Sequence, residues 1–64
     1  MEITQKNVSL EFWMGYLQCL FDSFDTPQVK AYGKDYNPDV DDWKGFYESG
    51  LTPEEAIEED LSNA

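Results

Sequence analysis

Leu10, Trp13, Met14, Leu17, Leu20, Phe21 and Phe24 recur at steps of three and four residues, the spacing that gathers side chains on one side of an α-helix. Ser9 precedes them as a natural N-cap. The pattern predicts a core helix over 10–24, with Glu11, Gln18 and Asp22 on its polar side. Gly15 interrupts it at a propensity cost of about 1 kcal/mol and leaves room for a close neighbour. Phe12, Tyr16 and Cys19 form a second apolar stripe at i, i+4 and i+7. Either a short following helix carrying Val29 and Tyr32 folds back over this stripe, or it stays open as a patch for a partner chain or a homodimer. Further along, Val40, Trp43, Phe46 and Tyr47 repeat the helical spacing, while Asp41, Asp42, Gly45 and Glu48 turn away. Trp43 is expected to anchor this segment to the first helix. Period-two alternation and hairpin turn pairs are lacking, so no strand is expected.

Prolines and glycines set the boundaries. Thr26-Pro27, Asn37-Pro38 and Thr52-Pro53 each place a capping residue ahead of a proline suited to the first helical position. Gly33 and Gly50 fall where two of these helices should stop, because a left-handed terminating residue is least strained as glycine. Thr52 and Glu55 have the spacing of a capping box. The expected fold is all-α: one domain spanning 1–64, with an extended N-terminal arm (1–8) and a small bundle of three to four helices over 10–24, 27–32, 38–49 and 53–62.

Charge narrows the function. Fourteen acidic residues against four lysines give a net charge of −10 over 64 residues. Residues 41–64 hold eight acids and one lysine, so −7 of that total lies there. This sign repels nucleic acid and anionic membrane and favours a basic protein partner. A chain this short has a small core, yet two Trp, four Phe and four Tyr supply enough burial to expect folding. One cysteine allows no internal disulfide, and no leader-like or membrane-spanning run occurs, which points to the cytoplasm.

Part of the acidity has a structural explanation. Asp39, Asp41, Glu54 and Glu55 fall in or near first helical turns, where the helix dipole favours negative charge by ~0.3–1 kcal/mol each. Glu58, Glu59 and Asp60 lie toward a helix C-terminus, and Glu54/Glu58 and Glu55/Glu59 are like-charge pairs four apart, which the helix itself disfavours. One explanation is a solubilising surface. The other is a row of charges about 6 Å apart along the helix axis, close to the spacing of phosphates on a nucleic-acid strand.

Other chemistry finds little support. Asp35, Asn37 and Asp39 match the opening of a calcium loop, but Val40 and Phe46 occupy the positions that need glycine and a bidentate glutamate. Without histidine, and with one cysteine, no transition-metal ligand set is available. Cys19 has no basic partner, no glycine-rich phosphate loop is present, and neither enzymatic activity nor a cofactor is expected.

In size and composition the chain resembles the acidic antagonists that bacteriophages and mobile elements direct at restriction, CRISPR, recombination or transcription enzymes. That resemblance is to a functional class spanning unrelated folds. It implies an inhibitor that does not itself bind nucleic acid. Its acidic face (Asp41, Asp42, Glu48, Glu54, Glu55, Glu58, Glu59 and Asp60) would occlude the cationic DNA- or RNA-binding site of a basic protein or enzyme, with an aromatic patch (Phe12, Tyr16, Tyr36 and Tyr47) supplying the desolvated contact. The alternative is a helical adaptor or subunit that docks through those aromatics and Tyr32, with or without self-association, its charge serving solubility alone.

Overall fold

Four helices, α1 (Leu10–Ser23), α2 (Pro27–Lys30), α3 (Val40–Glu48) and α4 (Pro53–Ser62), follow one another in the computed structural model, which describes residues 3–23, 26–33 and 36–62. No strand occurs among the described residues, and the chain is a small all-α bundle. Each of α2, α3 and α4 packs on α1, and α4 also meets α2 and α3. The radius of gyration is 10.9 Å, against roughly 10.7 Å for a well-packed chain of this length.

Local chemistry accounts for the helix ends. The Ser9 hydroxyl accepts from the amide of Phe12 at 3.3 Å, and its carbonyl takes the first helical bond from Trp13. Thr26 caps α2 by accepting from Val29, with Pro27 at the first turn. Thr52 and Glu55 form the expected reciprocal box: the Thr52 amide donates to Glu55 Oε1 at 3.0 Å and the Glu55 amide to Thr52 Oγ1 at 3.2 Å. At the end of α3, Gly50 takes a φ of +88°. Its amide donates to Tyr47 and that of Leu51 to Phe46, the paired bonds of a Schellman terminus.

Three boundaries differ from expectation. Helix α3 starts at Val40, with Asp39 rather than Asn37 as its cap, because the Asp39 carboxylate accepts from the amide of Asp41 at 3.0 Å and leaves Pro38 outside the helix. Helix α2 is a single turn, and Ala31 and Tyr32 continue as a turn ahead of Gly33 (φ +93°). Residues 3–8, the described part of the expected extended arm, form a turn instead. The amides of Asn7 and Val8 both donate to the Thr4 carbonyl at 2.9 Å, and the turn they close buries Ile3 and Thr4. Phe24, the expected last residue of the first helix, lies outside the described residues.

The core is Trp13, Leu17 and Phe21 of α1, Val29 of α2, Trp43 of α3, Ala56 and Ile57 of α4, and Ile3. Trp43 meets α1 as expected, its ring edge-on to Phe21 at 5.8 Å. Both tryptophans satisfy their indole N–H: Trp13 donates to the Leu51 carbonyl at 2.9 Å and Trp43 to the Tyr36 hydroxyl at 3.0 Å. Val40, expected on the buried face, is 41% exposed. It is the first residue of α3, one turn ahead of the Trp43 contact. Gly15 faces open space, with nothing within 4 Å of where an alanine methyl group would stand, so the close neighbour expected there is absent.

Candidate functional site

The eight carboxylates expected to form one acidic face divide into two sets. Asp41 and Asp42 stand exposed in the first turn of α3, and Glu48 stands exposed in its last. Glu55, Glu58 and Glu59 stand exposed on α4. Glu55 keeps its capping bond to Thr52, so its side chain is held against the start of the helix. These six lie on the solvent sides of two helices that pack together. The other two are held by tyrosines, and of these Glu54 is itself exposed. Asp60 is half-buried and accepts from the Tyr32 hydroxyl at 2.6 Å, and Glu54 accepts from the Tyr16 hydroxyl at 3.2 Å.

Asp60 therefore has a structural role that its position near a helix C-terminus did not suggest. The pairing leaves a mark on the phenols. Burial, followed by the hydrogen bond to Asp60 and its negative charge, pushes the Tyr32 hydroxyl well above the usual tyrosine range. The charge of Glu54, and then the hydrogen bond to it, raises Tyr16 as well.

The aromatic residues also separate. Phe12 is 54% exposed, Cys19 is exposed, and half-buried Tyr16 is turned toward Glu54 of α4. Helix α2 does not cover the stripe they form. Its Val29 is buried in the core, and Tyr32 stacks edge-on against Phe21 at 5.0 Å. Tyr36 and Tyr47 are half-buried with their hydroxyls engaged, Tyr36 accepting from Trp43 and Tyr47 donating to the Val8 carbonyl at 2.7 Å. Tyr36 packs on Phe21, and Tyr47 lies edge-on to Trp13. Among the described residues Phe12 is thus the exposed aromatic ring.

Sequence reasoning had no signal for one further feature. A cleft of about 210 Å³ opens between α1, α2 and α4, lined by Leu20, Thr26, Gln28, Val29, Glu54, Ile57 and Glu58. It lies where α2, capped by Thr26, packs against α4. Among the described residues no three histidine, cysteine or acidic side chains are grouped to hold a metal ion. No described helix is long and apolar enough to cross a membrane. Asp35, the first position of the calcium-loop pattern, lies outside the described residues. Comparison with protein-family models, curated proteins and solved structures gives no match to this chain.

Proposed function

We propose that this chain is a non-enzymatic acidic binding protein that occupies the cationic nucleic-acid-binding site of a partner protein, as an inhibitor of the kind found in phages and mobile elements. The supporting observation is the set of six exposed carboxylates, Asp41, Asp42, Glu48, Glu55, Glu58 and Glu59, carried by two packed helices. A helix fixes the backbone from which each acid projects, so little ordering entropy is lost when they meet a row of lysines and arginines. Glu55 and Glu59, one turn apart on α4, repeat the negative charge about every 6 Å along the axis. Binding is competitive: the acids meet the basic side chains that otherwise neutralise phosphates. Such binding is steered by charge and weakens as salt rises.

Asp60 and Glu54 contribute to the field of the molecule, but their hydrogen bonds to tyrosines make them poor choices for a test. The suitable variant is Asp42→Lys with Glu58→Lys and Glu59→Lys, which spares the core. The immobilised wild-type chain is expected to retain nucleic-acid-binding proteins from a lysate at low ionic strength and release them at high. The triple variant is expected to retain none at either. The exposure of Phe12 favours one competing reading, an adaptor that docks through aromatic side chains. Retention that ignores salt and charge reversal, but disappears in Phe12→Ala, would establish that reading instead.

A further inference from the structure

The cleft between α1, α2 and α4 combines two properties that a general acidic surface lacks. Its bottom is apolar: Val29 and Ile57 are buried, and half-buried Leu20 forms a wall. Its rim carries Glu54 and Glu58, both exposed and one turn apart on α4. At about 210 Å³ it is smaller than the roughly 300–1,000 Å³ typical of small-molecule sites, a scale suited to one inserted side chain. Among the described residues Glu58 has no hydrogen-bond or ion-pair partner, and Glu54 has only the Tyr16 hydroxyl. A hydrocarbon bottom beneath two carboxylates complements one kind of side chain, a long apolar stem ending in a cation. Arginine suits it better than lysine. Its flat guanidinium is weakly hydrated and presents donors on two edges, so it can bridge carboxylates one helical turn apart.

We infer that this cleft receives an arginine side chain of the partner, its stem packed on Leu20, Val29 and Ile57 and its guanidinium held between Glu54 and Glu58. No arginine occurs in these 64 residues, so a second copy of the chain cannot provide one. The inference rests on the proposed binding to a cationic protein and adds where the best-held basic residue sits. A seated arginine is desolvated along its stem, whereas the cations meeting Asp41, Asp42 and Glu48 stay in water. Affinity should therefore concentrate at the cleft while the outer acids set the rate of encounter.

Three small probes test this by nuclear magnetic resonance on the intact chain: N-acetylarginine amide, its neutral isostere N-acetylcitrulline amide, and guanidinium chloride at the same millimolar concentration. The arginine probe is expected to shift the methyl signals of Leu20, Val29 and Ile57 saturably. Citrulline should bind at least roughly tenfold more weakly, and guanidinium, lacking the stem, should leave the methyls unmoved. Glu58→Gln, a change at an exposed position, should weaken the arginine probe by roughly fivefold, the upper range for a partly exposed ion pair. Equal shifts from arginine and citrulline would overturn the inference, as would arginine shifts confined to the glutamates with silent methyls. Either result would remove the cleft and leave the acidic-face proposal standing if reversal of Asp42, Glu58 and Glu59 still abolished capture. Capture indifferent to that reversal would instead remove the acidic-face proposal.

Discussion

Trp13 and Trp43 each join a buried ring to a satisfied indole N–H; Trp13 ties α1 to Leu51 through that bond, and Trp43 ties α3 to α1 through its ring contact with Phe21. Trp43 to alanine should cost about 3–5 kcal/mol, against roughly 3–10 kcal/mol of total stability for a domain of this length. Thermal or urea denaturation should find that variant largely unfolded or close to its midpoint at room temperature. Tyr32 and Asp60 give a second prediction at this scale, with a sign fixed by linkage. The Tyr32 hydroxyl ionises above its ordinary value of 10.0 in the fold, so above about pH 10 the unfolded chain releases this proton while the folded chain retains it. Stability from this group is therefore complete below pH 10 and is lost as pH rises toward the folded value. Tyr32→Phe should remove a late-ionising component from the tyrosinate absorbance titration and flatten the alkaline fall in stability. A titration and an alkaline stability profile that are both unchanged in Tyr32→Phe would contradict the assignment.

At the scale of elements, boundary residues were the most legible part of the sequence, because caps act within a few residues of where they sit. Ser9, Thr26, the Thr52/Glu55 box and Gly50 all perform the expected roles. Gly50→Ala should cost about 1–2 kcal/mol through its left-handed backbone, since the nearest atom, Nε2 of Gln5 at 3.7 Å, makes only ordinary contact. Gly15→Ala should do the reverse. That position is mid-helix, exposed and free of neighbours within 4 Å, so alanine should raise stability by about 0.5–1 kcal/mol. Denaturant midpoints moving in opposite directions would support both predictions together. The sequence could not reveal elements decided at long range. Ile3 stands alone among polar residues without any period, and its burial depends on a turn that Tyr47 clamps from 39 residues away. Asp39 displaced Asn37 as the cap of α3 because two suitable residues flank Pro38, and local pattern does not choose between them.

At the scale of the molecule, the sign and position of the charge were plain from the sequence, whereas its division was not. Contacts 28 and 38 residues apart decide that Asp60 and Glu54 serve tyrosines, and no spacing rule reaches that far. The cleft was hidden for the same reason, since it arises only when α2 and α4 lie side by side. What emerges is a bundle whose packed helices α3 and α4 carry seven exposed acids, Glu54 among them. If those acids occupy a nucleic-acid site, chain and nucleic acid must exclude each other on the partner. The most direct measurement loads the immobilised chain with nucleic-acid-binding proteins at low ionic strength, then elutes with duplex DNA or single-stranded RNA at constant ionic strength. Release in proportion to added nucleic acid, with no nucleic acid left on the column, is the predicted result. Proteins that stay bound while also retaining nucleic acid in a three-part complex would contradict it.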